Sequence, residues 1–158
     1  MNPIKITLFQ NGQEEMIYNL IKRVYDEFVA LDYSEEGNNF FYDWIKPSNI
    51  TKRQINQKNI IIATIDSEII GMIEVRENRY ISLLFVEKNY HGQGIAKKLF
   101  LELLKLCKQR NPGIDKFYVH ASPFSIPVYR KLGFVETDEM QEEFGIKYLP
   151  MEMMVPNI

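Results

Sequence analysis

Cysteine is almost missing from this chain of 158 residues; the only one is Cys107. A single thiol closes no internal disulfide, and only two histidines are present to activate it as a nucleophile. Cys107 sits in the run Leu103-Leu104-Lys105-Leu106-Cys107, the pattern of a packed helix, and reads as a small core residue. So few cysteines and histidines, far apart, form no ligand cluster, and no metal site is expected. Net charge is also scarce: 19 Lys and Arg against 21 Asp and Glu leave −2, which gives no basic footprint for nucleic acid. A mildly acidic surface tolerates a cationic partner more readily than an anionic one, although a value this small decides little. No apolar run approaches the ~20 residues of a membrane span. Residues 1–8 carry Pro3, Lys5 and Thr7 instead of the apolar stretch of a signal peptide. The expectation is a cytoplasmic protein without a membrane partner.

What remains is an ordinary globular balance, 46% hydrophobic and 25% charged, in a length that fits one domain over 1–158. No repeat, low-complexity stretch or linker divides it. Residues 4–8 alternate and read as an edge strand. From Gln13 the apolar positions Ile17, Leu20, Ile21, Val24, Phe28 and Leu31 recur at helical spacing. A break at Asp32-Tyr33-Ser34 leads to a second, aromatic-rich helix over 35–45, which Pro47 ends. Residues 48–58 read as a polar connector with room for one short helix. Segments 60–65, 69–75 and 80–86, joined by short turns, predict an antiparallel meander. Gly92-Gln93-Gly94 then opens a helix over 95–108, which Asn111-Pro112-Gly113 stops. A strand over 117–121, a short helix over 124–132 ending at Gly133, and strands at 134–136 and 147–153 complete the chain.

The segment His91-Gly92-Gln93-Gly94-Ile95-Ala96-Lys97 falls between a buried strand and the first turn of an amphipathic helix. The first N–H groups of a helix lack partners, and the macrodipole adds partial positive charge there. Residues without Cβ let a pyrophosphate approach those amides closely, and Lys97 and Lys98 add countercharge. The plainer reading is that the glycines only make a tight strand-to-helix turn. Two phosphate loops are excluded. A dinucleotide fingerprint wants Gly or Ala where Lys97 stands, and the Gly-Lys-Ser/Thr of a P-loop is absent.

The segment resembles the signature of the GNAT superfamily of N-acetyltransferases, Gln/Arg-x-x-Gly-x-Gly/Ala, with His91 where the family usually has Gln or Arg. Upstream, residues 81–90 look like the family's fourth strand and the loop into the signature; by that resemblance Leu84, Phe85 and Val86 expose backbone groups to the pantetheine arm. Downstream, Tyr129-Arg130-Lys131-Leu132-Gly133-Phe134 matches the family's Tyr-x-x-x-Gly-Phe block, whose tyrosine serves as general acid near the CoA sulfur. Taken alone, Tyr129 is equally one more core aromatic. Seven positions earlier, where many members carry a CoA-contacting Asn, stands Ser122, which either keeps one hydrogen bond or caps the short helix. The resemblance covers residues 60–154, and the N-terminal half in element order only. It implies an α+β fold, a single domain whose mixed, mostly antiparallel sheet is splayed at the fourth strand, with helices on both faces.

The activity implied is transfer of acetyl from acetyl-CoA to a primary amine, a small molecule or a peptide, by direct attack through a tetrahedral intermediate. The cofactor residues implied are Leu84, Phe85, Val86, Ser122 and the loop His91, Gly92, Gln93, Gly94, Ile95, Ala96 and Lys97. Backbone N–H of Phe85 or Val86 would hold the oxyanion. Tyr129 is the candidate acid: a phenol titrating near 10 stays protonated at neutral pH and can donate to a thiolate of pKa about 8.5. Glu74 is the first candidate base, although its place between Ile73 and Val75 also fits a solvent-facing strand residue. His120 is a second candidate, and Glu35 and Glu36 either line the acceptor entrance or match a helix dipole. Tyr25, Phe28, Tyr33, Phe40, Phe41 and Trp44 form either an amine-binding wall or packing between helices and sheet. Members of the family are often dimers. Two other readings stand beside the enzyme: a non-catalytic acyl-CoA-binding module on the same fold, and an interaction protein without CoA affinity.

Overall fold

The computed structural model describes residues 2–156. Strand β1 (Lys5–Leu8) leads into helix α1 (Glu14–Phe28), which buries Ile17, Leu20, Ile21, Val24 and Tyr25, one stripe at helical spacing. Leu31 falls outside this stripe. The helix closes where Val29 N–H meets Tyr25 O, and Leu31, in a 3-10 turn, is 90% exposed. Helix α2 (Glu35–Trp44) is capped by Ser34, whose Oγ accepts from Gly37 N–H at 3.1 Å. The expected polar connector is in fact a full helix, α3 (Pro47–Gln57). Pro47 opens it instead of merely ending α2: at the first helical position its missing N–H removes nothing, and its fixed φ suits the turn. Lys58 closes α3 in the left-handed region.

Strands β2 (Ile60–Ile65), β3 (Glu68–Arg76) and β4 (Tyr80–Val86) form the expected antiparallel meander. Asp66 and Ser67 both take positive φ in a two-residue hairpin loop, whose twist matches that of the strands. Helix α4 (Ile95–Arg110), β5 (Lys116–Ala121), α5 (Ile126–Leu132) and β6 (Val135–Glu136) follow. The last elements are β7 (Gln141–Glu143), which was not expected, and β8 (Ile146–Met154). The sheet order is β1-β2-β3-β4-β5-β8-β6, with β7 on β8; β4 and β5 are the parallel pair and the other pairings are antiparallel.

Each face of the sheet carries its own core. On one face Leu99, Leu103 and Cys107 of α4 share a core with Ile73, Val75, Phe117 and Met151 of the sheet and Tyr129 of α5, and Cys107 is fully buried. On the other face Leu20 and Ile21 of α1 and Ile50 of α3 share a core with Ile62 and Met72 of the sheet. Fully burying one such side chain contributes about 1.5–3 kcal/mol. No helix among the described residues is long and apolar enough to cross a membrane.

Candidate active site

Strands β4 and β5 run together only at their starts. Tyr80 pairs with Tyr118 and Ile81 with Val119; beyond these the strands part. Between β3 and β4 the register shifts, pairing Glu74 with Leu83 but Val75 with Ile81, so Ser82 is the extra residue of a bulge in β4. Alternate residues of a strand turn their hydrogen-bonding groups to opposite neighbours. Glu87 N–H donates to Ile70 O at 2.7 Å, and Phe85, paired with Met72, shares its parity and faces β3. Leu84 and Val86 have the other parity, and their amides look into the gap. Of the two expected oxyanion donors, the ladder therefore uses Phe85 and leaves Val86.

The gap is a cavity of about 710 Å³. It is lined by Leu84, Phe85 and Val86, by His91, Gly92, Gly94, Ile95, Ala96 and Lys97, and by Ser122 and Tyr129. Gly92 and Gly94 have φ of +76° and +79°, and a Cβ on either would meet nothing within 4 Å. Backbone conformation, not crowding, calls for glycine here, and the space beside the first amides of α4 stays open for an anion. Gln93 does not join the wall: its amide donates to Asn89 O at 3.2 Å, behind the loop. His91 braces the loop, its Nε2 lying 2.7 Å from Val86 O and its ring tilted against Phe28. Ser122 makes no helix-capping bond; its hydroxyl bonds to Ser125 Oγ at 2.9 Å.

Tyr129, held by α5, is 4% exposed and packs edge-on against Phe134 at 5.4 Å. Burial, with a smaller contribution from Tyr33, pushes its phenol well above the ordinary value near 10. The hydroxyl is thus held protonated, more firmly than a free phenol.

A second cavity of about 1500 Å³ meets the first, and both are lined by Tyr33, Phe41, Ile81, Ser82, Val119 and His120. Glu74 lines neither. Far from facing solvent it is fully buried, its Oε2 3.0 Å from Arg53 Nε and its Oε1 accepting from Ser82 Oγ at 2.7 Å. Direct contact with an amine is closed to it, and Ser82, which lines both cavities, is hydrogen-bonded to it. His120 stands at the junction, stacked on Tyr148 at 4.3 Å, and burial followed by Arg76 lowers its pKa below the ordinary histidine value, against an opposing pull from Glu143. Its imidazole is neutral at pH 7. Glu35 and Glu36 are exposed in the first turn of α2 and line neither cavity, as a dipole match requires.

The aromatic set divides. Tyr25 stacks on Phe41 at 3.8 Å and Phe28 on Phe124 at 4.6 Å, which is packing, whereas Tyr33, Phe40, Phe41 and Trp44 line the second cavity. Sequence reasoning missed Ser82 and Arg53. A serine inside an apolar strand next to the glycine loop was the one available signal for the bulge. Arg53 had none, because the helix that carries it was read as a connector.

A profile of the acetyltransferase (GNAT) domain matches residues 29–155. No curated protein matches the chain. Among solved structures, a GCN5-related N-acetyltransferase from Rhodopseudomonas palustris superposes with a TM-score of 0.81 at 20% identity, over 98% of this chain and 97% of that one. The PaiA N-acetyltransferase from Thermoplasma acidophilum, in complex with coenzyme A, superposes at 0.75 with 21% identity, over 96% and 99%. An aminoglycoside 6'-N-acetyltransferase complexed with coenzyme A gives 0.69 at 13% identity, over 98% of each chain. At these identities the likeness is one of fold. The profile match, however, runs over most of the sequence; the chain belongs to the GNAT acetyltransferase superfamily.

Proposed function

We propose that this acetyltransferase uses acetyl-CoA and transfers the acetyl group to the nitrogen of a primary amine. The observation that carries the proposal is the meeting of two cavities at the β4 bulge, one walled by unpaired amides and the glycine loop, the other by side chains. Coenzyme A bound to two proteins of the same fold supports the first cavity as its place.

In this reading the amides at the start of α4 hold the pyrophosphate, with Lys97 as countercharge. The acceptor enters from the second cavity as its neutral amine and attacks the thioester carbonyl carbon, and its nitrogen gives up a proton before the intermediate collapses. The oxygen takes the negative charge of the tetrahedral intermediate and is stabilised by Val86 N–H. When the C–S bond breaks, the sulfur leaves with its electron pair and takes a proton from the Tyr129 hydroxyl, which regains one from solvent before the next turnover. The proton released by the amine passes through Ser82 Oγ to Glu74, a route favoured by their 2.7 Å hydrogen bond. A second route, directly to His120, is favoured by its neutral state at the junction. Changing Ser82 to Ala and His120 to Ala separately distinguishes them, since only the variant on the true route loses kcat.

The deciding experiment is a thermal-shift titration with acetyl-CoA beside free CoA and ATP, followed by thiol release with a panel of amines. A ligand at 100 times its Kd adds about 2.7 kcal/mol to stability. A shift with acetyl-CoA and thiol release on adding an amine supports the enzyme. A shift without release across the panel favours the binding module, and no shift at saturation leaves the interaction protein.

A further inference from the structure

The charged side chains on the second cavity are Arg53, Lys58, Arg76 and Arg110, against Glu77 alone. That excess of cations stands in a chain whose net charge is −2, so it is a local concentration and not a property of the surface. Arg53 has Glu74 as counterion at 3.0 Å. Lys58, Arg76 and Arg110 take part in no ion pair among the described residues. Arg110 donates to the Gln57 and Lys58 carbonyls at 2.9 and 2.8 Å, contacts that fix the guanidinium but leave its charge uncompensated. The Arg53 and Arg76 guanidinium carbons lie 4.1 and 5.6 Å from the Trp44 ring, so two cations share one indole. Arg53 Nη2 is buried without a hydrogen-bond acceptor. The cavity therefore supplies planar donors and positive charge in excess of its one lining carboxylate, Glu77. An unmodified polyamine would be repelled; a small-molecule acceptor with a carboxylate or phosphate would be drawn in.

We propose that the acceptor is an amine that also carries an anionic group, a carboxylate or a phosphate, and that Arg76 binds this group while the amine lies at the junction of Ser82 and His120. The proposal rests on the acetyl-transfer reading for the amine's fate, but the anion site stands on its own. Lys58 and Arg110 supply the field that draws the anion in, and Arg76 the direct contact. Arg76 is exposed and hydrogen-bonded to no side chain among the described residues, so its replacement leaves the fold intact.

The test uses the full chain and matched amines that differ only in the anion: lysine against cadaverine, tyrosine against tyramine, and phosphoethanolamine against ethanolamine. Binding is measured directly by calorimetry, with and without saturating CoA, and turnover by thiol release. The anionic member of at least one pair should bind roughly 10-fold or more tightly, with a Kd that rises with salt. Arg76→Ala should erase that ratio while leaving binding of tyramine and ethanolamine and the thermal shift by acetyl-CoA unchanged. A preference in the amino acid pairs assigns a carboxylate, and one in the ethanolamine pair a phosphate. Equal or tighter binding of the cationic members, no binding of any anionic member at millimolar concentration, or a ratio that survives Arg76→Ala would each overturn the proposal. Anion-selective binding in a protein with no shift by acetyl-CoA would retain the anion site and sink the acetyltransferase reading instead.

Discussion

The two cavities that meet at the β4 bulge are built by different means. The first is made largely of backbone: unpaired amides of β4, left-handed glycines and the open end of α4. The second is made of side chains brought from α2, α3, the β3–β4 turn and the end of α4. A backbone site is specified by where glycine stands and how far it lies from a strand. A side-chain site is specified only once distant elements have packed.

The contrast can be broken at Tyr129, the point where the first cavity depends on a side chain. Tyr129→Phe keeps the ring against Phe134 and removes the hydroxyl, so kcat should fall about 10²–10⁴-fold with acetyl-CoA binding unchanged. Because burial raises the phenol above its ordinary value near 10, its proton stays on as pH rises, and any alkaline fall in rate should keep its midpoint in wild type and variant alike. The same sign governs stability. Cys107 is pushed up to about 12, so only the unfolded chain ionises this thiol above about 8.5, and stability should decline as pH rises past that value in denaturant melts.

Next in size is Glu74→Ala. It strands Arg53 in a nearly dry setting and should cost about 3–5 kcal/mol, or roughly 10 °C or more in Tm. Protein that remains folded should still bind acetyl-CoA, since Glu74 lines neither cavity. Gly92→Val with Gly94→Val gives the reverse pattern: the fold persists with a reduced Tm, and the ligand-dependent gain of about 2.7 kcal/mol at 100 times Kd disappears. His91→Ala should have the smallest effect, about 1 kcal/mol from the lost contact to Val86 O, read as a small drop in Tm.

These cases also explain what the sequence disclosed. The meander, the glycine loop and the α5 block are local, and their residues carry their own geometry: glycines at positive φ, a Gly133 helix stop, alternating strands. α3 was hidden because its buried face is only Ile50 and Gln54, too little to raise a periodic signal, and because Pro47 was read as a stop when it is a start. β7 was hidden because its residues are polar and its partner is β8. Glu74 shows the same limit. Alternation fixes which face a strand residue takes, but here that face is covered by Arg53 from a segment read as a connector with room for only one short helix.

The hairpin between β7 and β8 meets the start of α2 at two glycines, Gly145 and Gly37. Ser34 N–H donates to Gly145 O at 2.9 Å; a Cβ on Gly37 would come within 2.7 Å of that oxygen, and one on Gly145 within 1.7 Å of Ser34 Oγ. For directed evolution of acceptor choice this sets a boundary. Phe40, which lines the second cavity and is largely exposed, can be varied, while positions 37 and 145 have to be held as glycine in every library, because the backbones of α2 and the hairpin meet there.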